Sequence, residues 1–85
     1  MDKVIKVLFL KTGQVVVSEI EEVVSELGEP DCKLINPKEL IVNVDGTYKL
    51  NVWLGFTDQS EIMMHSDSIL TIVDPKKSIL DLYFK

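Results

Sequence analysis

The chain has 85 residues, 46% of them hydrophobic, and a formal net charge of −5. That length supports one modest core rather than two, and so apolar a composition excludes a disordered chain. Every cation is a lysine. The absence of arginine, the usual bidentate partner of phosphates and bases, weighs against tight nucleic-acid recognition.

Val4 to Leu10 is almost continuously apolar, broken by Lys6, and predicts a strand buried on much of both faces, as in a barrel wall. Lys11-Thr12-Gly13-Gln14 predicts a tight turn in which Gly13 supplies a positive φ. Val15 to Val24 reads as a long second strand. Its start is apolar and its end carries Glu19, Glu21 and Glu22, as expected of a strand leaving the core. Ser25 to Pro30 reads as a loop, and Cys32 to Asn36 as a short strand. Pro37 has no N–H for a ladder and marks an edge, a bulge or a kink before Leu40 to Val44 continues the strand.

Asp45-Gly46, between Val44 and Tyr48, is the strongest hairpin signal in the chain. Tyr48 to Phe56 then reads as a strand with Tyr48, Leu50, Val52 and Leu54 on one face. Trp53 falls opposite, in a second core layer or at a subunit contact. Thr57 to Glu61 is a polar turn, Ile62 to Met64 a short strand, His65 to Ser68 a tight turn, and Ile69 to Val73 the last strand. Asp74 as N-cap and Pro75 at the first helical position predict a helix over about 75–84, with Ile79, Leu80, Tyr83 and Phe84 on one face. An extra edge strand over 78–84 is the alternative. The fold class is therefore mainly β: one domain, 1–85, with a small, strongly bent antiparallel sheet of five or six strands over about 3–73. It closes into an SH3-like barrel with a short C-terminal helix.

The residues offer little for catalysis, and we expect no enzyme, no metal and no cofactor. One cysteine and one histidine, Cys32 and His65, cannot make a zinc ligand set. A nucleophile would need Cys32 or a serine served by His65, with no oxyanion motif in sight. Cys32 is more simply a small buried hydrophobe. No two carboxylates are paired in an apolar setting, and Gly13 lacks the partner glycines of a phosphate loop. Met63-Met64 reads as a plain core strand before an adaptable binding surface. The lone cysteine, the absence of any apolar run near the ~20 residues of a membrane span, and an N-terminus unlike a signal peptide point to a soluble, cytoplasmic protein.

Leu8 to Ile20 with its glycine turn, Asp31 and Asn36 in and after the next loop, and the closing hairpin at His65-Ser66-Asp67 resemble the Sm-like (LSm-type) proteins. His65-Ser66-Asp67 replaces the family's basic-Gly pair, and the candidate helix is C-terminal rather than N-terminal. Over nearly the whole chain the sequence is similar to a divergent, uncharacterised phage-associated Sm-like group. The shared pieces are the Gly13 turn, Asn36-Pro37, Trp53-Leu54, Thr57-Asp58, Ile69 to Ile72, Asp74-Pro75 and Tyr83.

This resemblance implies a homo-oligomeric ring of about five to seven subunits, in the cytoplasm of a bacterial host. It places the seam between the strand ending near Met64 and the strand Ile69 to Val73, with Met63, Met64, Ile69, Thr71 and Val73 at the interface. It also implies a single-stranded RNA site at Lys33, Asn36 and His65, with Trp53 as a further stacking residue. The alternative is a homo-oligomeric protein-binding scaffold or adaptor without nucleic-acid activity, which the net charge and missing arginine favour.

Overall fold

The computed structural model of the chain describes residues 4–24, 26–27 and 30–85. Among the described residues six strands, β1 (Ile5–Leu10), β2 (Val15–Glu22), β3 (Cys32–Val42), β4 (Tyr48–Val52), β5 (Glu61–Met64) and β6 (Ile69–Val73), precede one helix, α1 (Lys77–Tyr83). A 3-10 turn, Ser66–Ser68, joins β5 to β6. The strands form one antiparallel sheet in the order β4-β3-β2-β1-β6, with β5 also paired to β3. Among the described residues β5 and β6 are not paired with each other, so hydrogen bonding does not close the sheet into the expected barrel.

Both predicted hairpins form, for the local reason expected. Gly13 (φ 93°) and Gly46 (φ 88°) take left-handed backbone that a Cβ would strain. At the second turn the Asp45 carboxylate accepts from the Thr47 N–H (3.1 Å) and hydroxyl (2.6 Å), which holds its pKa below the ordinary carboxylate value. The loop expected over 25–30 connects β2 to β3; residues 25, 28 and 29 lie outside the described residues. β2 ends at Glu22, two residues before the expected Val24.

Pro37 marks a bulge inside one continuous strand. In register, Val17 faces Lys38 and Glu19 faces Ile35, so Ser18 alone stands opposite both Asn36 and Pro37. Asn36 absorbs the extra residue with a left-handed φ of 54°, a conformation asparagine tolerates better than most side chains. The outer partner of β3 changes at the same point. β4 pairs with the stretch after the bulge, Lys38 to Val42, and β5 with the stretch before it, Cys32 to Ile35. Thus β4 and β5 run in one direction along one edge, separated by the excursion 53–60. The strand expected to reach Phe56 stops at Val52, because β3 offers no ladder across its bulge and Leu54 turns left-handed (φ 56°).

Two apolar clusters lie about this sheet. One joins Leu8, Leu10, Val16, Cys32 and Leu34, with Ile20, Trp53, Met64 and Ile69 packed against it. The other joins Ile5, Val17 and Ile79, with Val7, Leu40, Tyr48, Leu50, Leu80 and Tyr83 around it. The second cluster is what holds α1 in place, since seven residues are too few for a stable isolated helix. The helix begins at Lys77 rather than Pro75, and its N-cap residue is Lys76, not Asp74. The Asp74 carboxylate instead takes the Lys6 ammonium of β1. Phe84, expected on the buried face, is the exposed C-cap.

Tyr83 ties the helix to the bulge. Its hydroxyl accepts from the Glu19 N–H (3.2 Å) and reaches the carbonyl oxygens of Ile35 (3.0 Å) and Asn36 (2.9 Å). Ser18, fully buried, places its own hydroxyl 3.1 Å from the Ile35 carbonyl. Desolvation, offset in part by the Glu19 N–H, raises the Tyr83 pKa, so the phenol stays protonated and able to donate. Removing that hydroxyl leaves bulge groups without their partner. Tyr83→Phe should therefore cost about 1–2 kcal/mol in urea denaturation with the helix retained by circular dichroism. A cost below about 0.3 kcal/mol would show that water replaces the hydroxyl without loss.

Candidate functional site

The four residues expected at a nucleic-acid pocket occupy three places. Lys33, in β3, stands across from Glu21 of β2 and Met63 of β5. Its ammonium lies 3.4 Å from a Glu61 carboxylate oxygen and 3.9 Å from one of Glu21, so its charge is already matched by two carboxylates. Asn36 is exposed at the bulge, and its N–H donates to the Ser60 carbonyl (2.6 Å). Trp53 follows β4 and packs its ring against the Leu8–Leu34 cluster. His65 is exposed just before the 3-10 turn.

Asn36 and Trp53 do meet. Both line a cavity of about 200 Å³ at the break between β4 and β5, together with Lys38, Asp58, Gln59 and Ser60. His65 does not reach it. Asn36 bonds to Ser60 at one end of β5, while Met64, next to His65, faces Cys32 at the other. Four to five residues of strand, about 15 Å at the usual rise, separate the two. Within one subunit Asn36 and Trp53 thus share one place while Lys33 and His65 stand at two others, because β3 and β5 pair in extended register between them.

Beside His65 lies a contact that local pattern did not reveal. The Asp31 carboxylate accepts from both the Ser66 N–H and the Ser66 hydroxyl, each at 2.8 Å, and so clasps the end of the β2–β3 loop to the 3-10 turn. Those bonds, led by the backbone one, hold the Asp31 pKa below its ordinary 3.8, with a smaller contribution from His65. The sign follows. A depressed folded-state pKa stabilises the protein above about pH 4, and the stabilisation disappears as pH falls through the folded value. An Asp31→Asn variant should therefore be less stable than the parent at pH 6, and the two urea midpoints should converge as pH falls below about 4. A constant gap between them would assign the clasp's effect to shape rather than charge.

Behind the clasp, a second cavity of about 300 Å³ opens between the ends of β2 and β3 and strand β6, lined by Ile20, Val23, Cys32, Ile69 and Ile72. Burial pushes the Cys32 thiol up, away from the thiolate a nucleophile would need. Among the described residues no group of three His, Cys, Asp or Glu side chains could hold a metal ion. No helix among them is long and apolar enough to cross a membrane.

Of the residues expected at a subunit seam, Met63, Thr71 and Val73 are exposed on β5 and β6. Met64 and Ile69 turn inward and pack on the Leu8–Leu34 cluster, because their registers with Cys32 and Leu10 put them on the core face. Leu70 (57% exposed) and Ile72 (48% exposed) present apolar surface on β6 instead. No partner strand lies on the outer edge of β6 or of the β4–β5 line among the described residues.

A model of the Family of unknown function (DUF6561) matches residues 3–85, and the chain belongs to that family. No curated protein matches the chain.

Proposed function

We propose that this protein is a ring-forming module with Sm-like architecture, assembled by joining the β4–β5 edge of one subunit to the β6 edge of the next. The observation that carries this reading is the pair of sheet edges left without a partner strand among the described residues, one of them bearing exposed Leu70, Ile72 and Val73. Such edges invite strand addition, and apolar side chains beside them add burial to the backbone bonds. The strand sequence supports it as well. Counting β4 and β5 as one interrupted strand leaves a five-stranded meander, with a 3-10 turn before the last strand and that strand paired back to β1. Size-exclusion chromatography with light scattering should give one closed homo-oligomer of about five to seven subunits. A monomer at micromolar concentration would overturn the reading.

Two ligand classes divide within it. The resemblance to Sm-like proteins implies single-stranded RNA. The protein-binding scaffold is favoured by a specific observation: Lys33 is neutralised by Glu21 and Glu61, and Asn36 and His65 stand apart on a chain of net charge −5. Retention of poly-U or poly-A at low salt and pH 6, lost in His65→Ala or Asn36→Ala rings of unchanged mass, would restore RNA. No retention of any homopolymer under those conditions would leave the scaffold.

A further inference from the structure

Two residues that line the cavity at the β4–β5 break, Trp53 and Lys38, carry unmet electrostatic needs. The Nε1 atom of Trp53 is buried and meets no acceptor among the described residues. A buried donor without a partner costs stability unless something brought to it accepts the bond. Lys38, which also lines this cavity, is only partly exposed and makes no ion pair among the described residues. Around them stand the Asn36 and Gln59 amides and the Ser60 hydroxyl. Two non-glycine residues are held left-handed here, Asn36 in the cavity lining at φ 54° and Leu54, next to Trp53 in the chain, at φ 56°. For leucine that conformation is a true outlier, and such strain gathers at ligand sites more than at plain turns.

We propose that this cavity is a binding site for a carboxylate group. A turn of the Trp53 ring that brings its N–H to the cavity lets one anionic oxygen accept from it while facing the Lys38 ammonium, and charge-assisted bonds of this kind are the stronger ones. The volume of about 200 Å³ suits a small acid or the end of an extended polypeptide rather than a nucleotide. A single charge is required. Asp58 lines the same cavity, Glu19 lies with Lys38 along the neighbouring one, and the chain is negative overall, so a phosphate dianion meets more repulsion than Lys38 alone offsets. This inference is independent of ring assembly and of RNA.

Trp53 is the only tryptophan, so its indole N–H gives one identifiable NMR resonance. The wild-type protein is titrated with sodium acetate, acetamide, inorganic phosphate and sodium chloride at constant ionic strength. In parallel arms it meets N-acetyl-diglycine as the free acid and as the amide. Acetate should shift the Trp53 indole resonance saturably, with half-effect at about 1–10 mM, while acetamide and chloride do not. A free-acid peptide that binds more tightly than acetate identifies a polypeptide terminus as the source, and equal or weaker binding identifies a small acid. Lys38→Met should weaken acetate about tenfold, and Asp58→Asn, at an exposed position, should tighten it about threefold. Equal shifts with acetamide, a response to phosphate alone, or no saturable shift with any probe would each overturn the proposal; the last would mean that water satisfies the indole.

Discussion

Replacing Leu8 by alanine should bring the domain close to unfolding. Leu8 is completely buried at the middle of β1, facing Val16 of β2 and Ile72 of β6 in register, inside the cluster that also holds Leu10, Cys32 and Leu34. Truncating a leucine in such a site removes transfer energy and leaves a cavity that strands paired on both sides cannot collapse, at a cost of about 3–5 kcal/mol. A chain of 85 residues holds only about 4–13 kcal/mol in total, so the variant should lose from about a quarter to all of its stability. Urea denaturation at matched protein concentration measures it, since assembly would add to apparent stability. Phe9→Ala, whose side chain is 42% exposed on the opposite face, is the control and should cost less than half as much. A cost below about 1.5 kcal/mol for Leu8→Ala would mean that this cluster is not the main core.

A proline in β6 should dissolve the assembly. Successive residues of an antiparallel edge strand send their N–H groups alternately to the neighbour and to the open side. Of Thr71 and Ile72, which face Phe9 and Leu8, one therefore donates to β1 and the other to whatever strand a second subunit adds. Both Thr71→Pro and Ile72→Pro are needed. The substitution on the inward-donating residue should damage the β1–β6 ladder. The other should keep native circular dichroism and elute as a monomer, because the added strand loses a bond and meets the pyrrolidine ring. If the folded variant keeps the assembly mass of the wild type, β6 is not the seam, and the ring proposal loses its geometry.

How far the chain could be read depended on the range of the interaction. The turns at Gly13 and Asp45-Gly46 need only a residue that accepts a positive φ between apolar runs, and both formed where expected. Pro37 carried its own message, a missing N–H, and sits in a bulge. The end of β4 was different. The alternation Tyr48, Leu50, Val52, Leu54 continues past the point where the strand stops, because what ends it is the bulge in β3. Asp74-Pro75 is a sound helix start by local chemistry, yet Lys6, 68 positions earlier, draws that carboxylate away. In the candidate site, Asn36 and Trp53 were singled out and do meet, while Lys38 gave no local signal and enters through its place beside the bulge.

By itself the sequence determined a β-rich fold, its hairpin turns and the type and order of nearly all its strands. These follow from period and turn chemistry, which act over a few residues. The structure chose the helix over the alternative edge strand after Pro75. The tertiary structure alone decided that β4 and β5 share one edge around a bulge and that Met64 and Ile69 pack on the core while Leu70, at the register shift of β6, stays exposed. It also decided that Asp31 clasps Ser66 and that the Asn36 and His65 positions stand apart. Each depends on register between strands distant in the chain, where a shift of one residue exchanges the faces and where partners become neighbours only after the sheet has formed.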